Sequence, residues 1–576
     1  MYERNYKLVG DKFKEFFIPT LFTSMTGNIC ILVDSIIVSN LIGAVALSAI
    51  QPVEPLGTLV NLIYWMIGLG GSVMCSIAKA EFDDEKSNRI FSVAVISLLL
   101  IGILLSVLGT LFSSQIVAVL CPSAQIQPIV FQYYSIYILG IPFLCFIMSL
   151  SYFIRADGIA SLPFRALLVS NVANIIFDFV FIGMFGWGLS GAAGATIAGY
   201  ILGCIYMSTY FFNPKRTLKF ALVKVRTLLS TTVEICKSGF SGASTQLYFT
   251  IKIFIINTLI ILYIGQYGLV AFNICFNSLF ILYMFLIGTA QTMSPIVSVY
   301  YQEEDYKSVE YIKNRSLKIV LASSLILSVL FIVCPQSLLL LYHVNSPSDI
   351  PIVLNAIRIF SLSYVGIAIT FLYTFYAQAI QKDKLSNIIS LLEGCIFPVT
   401  FAFLLLFLMG ANGIWLSFTV AEILTILYIY VYSRRLNKKT NGEYTGFFIN
   451  KHNDDKKVFA YTIKGDIHQA VELSEQVQEY LAGNKSAALV SLAIEEMLVN
   501  IININEDVEA IDVIVKNNDD NILISIKDTG IDFNPVVEND NLEFDNISVL
   551  NRIADEINYS RVLGLNSTVI TINSRK

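Results

Sequence analysis

The sequence predicts a polytopic α-helical membrane protein of about twelve spans in two six-helix lobes, followed by a small cytoplasmic α/β sandwich. Three observations predict it. The 576 residues are 55% hydrophobic, with a mean hydropathy of +0.68, which excludes an ordinary soluble enzyme. Apolar segments long enough to cross a bilayer recur up to about residue 437, and basic residues gather in every second loop between them. From Thr440 onward the character reverses: 23 acidic residues stand against 11 basic ones.

The spans centre near Ile29, Ile67, Leu100, Leu144, Ile175, Gly203, Ile251, Leu282, Ser328, Ala368, Leu404 and Thr425. One set of loops carries Lys79, Lys86, Arg89, Arg155, Arg165, the run Lys215 to Arg226, Lys307, Lys313, Arg315, Lys318, Lys382 and Lys384. The alternate loops, such as "NLIGAVALSAIQP" and "YHVNSPSDIPIVLN", carry none. The basic side is cytoplasmic by the positive-inside rule, so an even number of spans puts both termini inside. No cleavable leader is evident, and the chain is expected in a bacterial inner membrane. The nine cysteines precede the tail and form no C-x-x-C pair, so no zinc site is expected.

The halves rhyme. "RADG" and "GWGLSGAAGAT" in the first have counterparts in "QAIQKDK" and "GANGIWLS" in the second, about 225 residues on, which indicates a parallel repeat of the kind secondary transporters use. The expected domains are a first lobe at 1–212, an inter-lobe loop at 213–237, a second lobe at 238–437, a linker at 438–457 and the tail domain at 458–576.

Ionisable residues inside spans are costly and usually face a cavity or a partner. Asp34 and Asp178 lie mid-span, and Asn174 shares a helix face with Asp178 four residues on. Two carboxylates with amides suit Na⁺ or a proton, while neutral, hydrogen-bonded packing groups are the bland alternative. Lys252, Glu393 and Glu422 are the second-lobe charges, and Lys252 is expected to pair with one of the two acids.

In the tail, strands are predicted at "VFAYTI", "IDVIVK", "ILISIK" and "TVITI", and helices at "IHQAVELSEQVQEYLA", "SAALVSLAIEEMLVNIIN" and "ISVLNRIADEI". Glu496 and Asn500 lie one turn apart on the second helix. Asp528 and Gly530 form D-x-G at a strand end. That combination points to a nucleotide site; a solvated helix face is the plainer reading of the helix alone.

With these residues in view, the body resembles the multidrug and toxic-compound extrusion (MATE) family over about Phe13 to Arg435. The marks are Pro19, "LVDSIIVSNLIGAVALSAI", "GLGGS", "RADG", "NIIFDFVF", "GWGLSGAAGAT", Pro295 and "GIWLSFTVAE". The resemblance implies two lobes around a cleft and Na⁺- or H⁺-driven export of small, often cationic organic compounds. It implies Asp34, Asn174 and Asp178 as the ion-coupling residues. The chain departs from the family in offering Ser149 or Ser151 in place of a fourth-span amide, in "AKAEFDDEK" after the second span, and in Lys252 where some branches carry an acid.

The tail resembles the GHKL ATPases, specifically the compact anti-sigma-factor serine kinases, over about Phe459 to Ile572. This implies Glu496 as general base, Asn500 as Mg²⁺ ligand for bound ATP or ADP, and Asp528 with Gly530 reading the adenine. Departures are Asp532 at a second glycine, Ile504 at a common histidine, and no glycine in "EFDNISVLN". The expected function is an ion-coupled exporter with a regulatory or signalling tail that could engage a cytoplasmic protein. The alternative is a membrane sensor whose tail acts on, or docks, a partner. An ATP-driven pump is disfavoured because G-x-x-x-x-G-K-[ST] is missing, and nucleic-acid binding is disfavoured by the acidic tail.

Overall fold

The computed structural model describes residues 4–42, 53–120, 127–221, 223–264, 266–341, 350–452, 458–505, 509–518, 521–532, 534 and 546–573. Among them, ten helices are long and apolar enough to cross a membrane, or up to eleven if the pair Ile350–Ser361 and Tyr364–Ala379, bent by 43°, counts as one span. One of the ten, Ala487–Ile504, belongs to the tail. Its apolar residues Val490, Ile494, Leu498 and Ile501 are buried against the tail sheet. The predicted loops at 43–52, 121–126 and 342–349 lie outside the described residues.

Local chemistry sets the helix limits. Asp83 caps the helix Asp84–Leu111 by accepting from the Lys86 N–H at 2.8 Å, and Asp305 caps Tyr306–Val333 by accepting from the Ser308 N–H at 3.2 Å. Large apolar side chains such as Leu104, Leu111, Phe254, Phe407 and Leu408 point outward, as they do where the solvent is lipid. The interior is aromatic: Phe276, Phe360 and Phe418 meet edge-on or tilted, and Phe272 stacks on Trp415.

Where 438–457 reads as a linker, residues 440–452 are folded onto the body. β1 (Tyr444–Thr445) and β2 (Asn450–Lys451) pair, and between them Phe448 stacks on Tyr373 at 5.0 Å. Two adjacent aromatic residues supplied enough apolar surface to hold a segment whose flanks are polar.

The tail is a five-stranded antiparallel sheet with helices on one face. Its strands are β3 (Val458–Ile463), β4 (Ile511–Asn517), β5 (Asn521–Asp528), β6 (Glu556–Val562) and β7 (Leu565–Asn573), in the order β3-β4-β5-β7-β6. The helices Ile467–Tyr480 and Ala487–Ile504 cover one face, where Val513, Ile524, Ile526 and Ile570 point. β6 corrects the sequence reading. The helix expected through "ISVLNRIADEI" ends at Ile553, and Glu556–Val562 pairs with β7 instead. Leu563 and Gly564 both take positive φ, 55° and 72°, and close this hairpin in two residues.

Candidate functional site

The residues singled out in the sequence fall into two buried sets in the helical body and one in the tail. In the first lobe, Asp178 is wholly buried at the end of the helix Ser161–Asp178, and Asn174 is 9% exposed one turn before it. A π-helical turn, Phe179–Met184, follows Asp178 directly. Such turns displace the helix face and recur at functional sites. Asn174 donates through Nδ2 to Thr196 Oγ1 at 3.5 Å, and the Thr196 hydroxyl is passed on to Ala192 O at 3.1 Å. The amide's donor end is thus directed to the helix Gly188–Met207. Gly199 permits that approach: a Cβ there would lie 2.6 Å from Ser170 O and 3.1 Å from Asn174 Cβ. The backbone at Asp34 is helical within Lys7–Leu41, and its side chain lies outside the described residues. Ser149 is fully buried, whereas Ser151 accepts from Arg155 Nη2 at 3.1 Å.

In the second lobe, Lys252, Glu393 and Glu422 are all buried, and both carboxylates act electrostatically on the ammonium. Lys252 Nζ also stands 5.4 Å from the Phe249 ring centre and 5.7 Å from that of Phe418. Thr370 Oγ1 donates to Glu422 Oε2 at 2.8 Å. Glu393 sits inside a second π-helical turn, Leu392–Ile396. Gly366 makes room for Glu422, since a Cβ there would meet Glu422 Cβ at 2.5 Å. One ammonium against two carboxylates leaves one negative charge, or one proton, for the site to accommodate.

In the tail, Asp528 is 2% exposed at the end of β5. Its Oδ1 accepts from Gly530 N at 2.7 Å and from Asn566 Nδ2 at 2.9 Å; neither bond uses Oδ2. Burial raises the Asp528 pKa, opposed by the Asn566 bond, the Gly530 N–H and the Arg561 charge. The C-terminal end of Ala487–Ile504 meets this loop: Ile531 N donates to Asn505 Oδ1 at 2.7 Å, and the Asn505 side chain packs against Gly530. Glu496 and Asn500 are half-buried further back on that helix, and partial burial beside Glu495 raises the Glu496 pKa. Of the stretch "EFDNISVLN", residues 543–545 lie outside the described residues. A concavity of the tail, about 640 Å³ along 480–485 and Asn517, is lined by none of these residues.

Thr196, Thr370, Gly366, Asn505 and Asn566 escape the sequence reading because hydroxyls, amides and glycines are common in membrane helices and strands. Only three-dimensional proximity singles them out.

One family model, MatE, matches residues 19–180 and again 243–404, so it fits each half in turn and covers more than half of the chain. The multidrug export protein MepA of Staphylococcus haemolyticus is 23% identical over 414 residues, 71% of this chain and 89% of that protein. The probable multidrug resistance protein YoeA of Bacillus subtilis is 26% identical over 209 residues, 36% of this chain and 45% of that protein. Among solved structures, MATE in the bent conformation superposes with a TM-score of 0.69 at 17% identity, covering 75% of this chain and 96% of that one. A MOP-superfamily transporter from Pyrococcus furiosus gives 0.69 at 17% identity, covering 77% and 99%. These structures share the fold of the helical body, and the family match identifies its kind: the chain belongs to the MatE family of membrane transporters.

Proposed function

We propose that the chain is a Na⁺- or H⁺-coupled antiporter that exports small organic compounds, with Asp34, Asn174 and Asp178 as its coupling site. The observation that carries this reading is the wholly buried Asp178 beside Asn174, in a body matched twice by one transporter family. A carboxylate so deep is stable only with a cation, a proton or strong donors. Asn174, whose Nδ2 is directed to Thr196, is read as the amide ligand of that cation. Binding from outside would favour one arrangement of the lobes, and the difference in ion affinity between arrangements drives substrate release. The body is read as twelve spans, counting Lys7–Leu41 and Val225–Tyr263 with the helices named above, and both termini are placed in the cytoplasm of a bacterial cell. The names of the relatives, a multidrug export protein and a probable multidrug resistance protein, support a small organic cargo. Ion-driven ethidium efflux from proteoliposomes, lost in Asp178→Asn, tests the proposal.

The tail is read as a GHKL-type domain. The base-reading half fits an adenine nucleotide: a buried Asp528 with one oxygen outside the bonds to Gly530 and Asn566, beside a glycine in close contact. Asn500 would hold Mg²⁺ and Glu496 would act as a base when ATP or ADP is bound. The second reading, a sensor whose tail docks or modifies a protein partner, is favoured only by the extensive contact between tail and body.

A further inference from the structure

On the face of the tail sheet away from its helices, one row of polar residues crosses all five strands and meets the membrane body. Thr462, Asp512, Lys527, Ser567 and Ser560 are successive register partners across β3, β4, β5, β7 and β6. Four of the five reach the body. Asp512 Oδ2 receives Arg4 at 2.7 Å, and the same guanidinium reaches Asp305 Oδ2 at 2.7 Å. Lys527 pairs with Glu303, to which Ser567 Oγ also donates at 3.3 Å. Ser560 Oγ donates to Lys79 O at 3.2 Å. Off the row, Lys516 Nζ donates to Glu303 O at 2.9 Å and lies 3.5 Å from Glu304. At the β6–β7 turn the tail backbone touches the body directly: a Cβ on Gly158, whose φ is +98°, would lie 2.5 Å from Gly564 N.

These partners fall on both lobes. Lys79 and Gly158 belong to the first, and Glu303, Glu304 and Asp305 to the second. The lobes also touch each other at this end, where Arg155 Nη1 donates to Gln291 at 2.6 Å and Gln302 Nε2 to Glu81 at 3.0 Å. A hydrogen-bonded sheet is stiff, so the lobes can part here only if one set of tail contacts breaks. Each side chain of the acidic run "EED" at 303–305 meets a cation of the tail or of the N-terminus. We infer that the tail is a clamp: docked, it holds the two lobes together at their basic ends, and opening the cleft to that side requires its release. Asp528 and Asn566 alternate with Lys527 and Ser567 on the same two strands, so the clamp lies one residue from the face where a nucleotide is placed above. The inference deepens the transporter reading and rests on it.

The test uses the full chain in lipid nanodiscs, its native cysteines replaced, with spin labels at Glu85 and Lys307, exposed positions on the first and second lobes. Distances are measured by pulsed electron resonance in the parent, in Glu303→Lys, and in Glu303→Lys with Lys527→Glu. The expected result is a population at longer distance in the single variant that is lost again when the charge pair is rebuilt in reverse. A distance distribution unchanged by Glu303→Lys overturns the clamp. So does a widening that the double variant leaves in place, since that marks a misfolded loop. Ethidium efflux is measured on the same three proteins. If the parent moves no ethidium, the exporter reading fails while the distance result still decides the clamp.

Discussion

Arg4, at the start of the chain, bonds Asp512 of the tail at 2.7 Å across 508 residues of sequence. Its guanidinium is 4% exposed and bridges two carboxylates, Asp512 and Asp305, that are themselves 1% and 6% exposed. Burial works against the arginine's charge, but the two acids outweigh it and raise its pKa. Removing it strands two buried negative charges. Arg4→Met is therefore expected to weaken docking by about 3–5 kcal/mol, against near-neutral change for an exposed pair such as Lys14–Asp11. Hydrogen exchange of β4 and of residues 300–305 measures it.

The same cluster makes docking sensitive to acid. Burial acts to raise the Asp305 pKa, but the charges of Arg4 and Lys527 prevail and the net shift is downward. A lowered carboxyl pKa contributes docking free energy that is complete above the usual range, near pH 3.9, and lost as pH falls through the lowered value. Tail exchange, taken relative to the intrinsic amide rate at each pH, is expected to be flat from about pH 8 to 5 and to rise below about pH 4. A rise beginning near pH 7 would point to other groups.

Gly158→Ala places a methyl group against Gly564 and strains a residue at φ +98°. We expect a loss of about 1–3 kcal/mol in docking, seen as faster exchange at the 563–565 turn, with the helix Ile141–Ala156 unaffected.

Thr196→Val keeps the shape of the side chain and removes the acceptor of the Asn174 amide. A lost hydrogen bond of about 1 kcal/mol corresponds to about a fivefold weaker apparent ion affinity. The maximal efflux rate at saturating ion is expected to hold. Equal losses in both would assign Thr196 to packing alone.

Asp528→Asn replaces the oxygen expected to accept from adenine with a group that donates. Nucleotide binding to the full chain, followed by calorimetry, is expected to fall at least about tenfold, the effect of one charged hydrogen bond. Because burial raises the Asp528 pKa, binding should weaken on acidification at a higher pH than an ordinary aspartate would cause.

Much of this was legible in the sequence. A four-residue spacing placed Asn174 and Asp178 on one face, and four of the five strands of the tail sheet were marked by alternating or continuous apolar runs. β6 was not, because "ISVLNRIADEI" carries helical spacing past Ile553 and its turn, Leu563-Gly564, lacks the Asn-Gly signal. The folded stretch at 440–452 was hidden by its polar flanks. The docking face was hidden for a different reason. Asp512, Lys527 and Ser567 are ordinary polar residues of their strands, and only the register that aligns them, together with "EED" in a distant loop, makes them an interface.

Coupling of ion binding to export through Asp178 is read out by gradient-driven transport. The full chain is reconstituted in proteoliposomes, and ethidium movement is followed under an imposed Na⁺ or proton gradient, with Asp178→Asn alongside. The expected result is gradient-dependent transport in the parent and none in the variant, with both proteins inserted equally. Gradient-driven transport at the parental rate in Asp178→Asn would remove Asp178 from the coupling site.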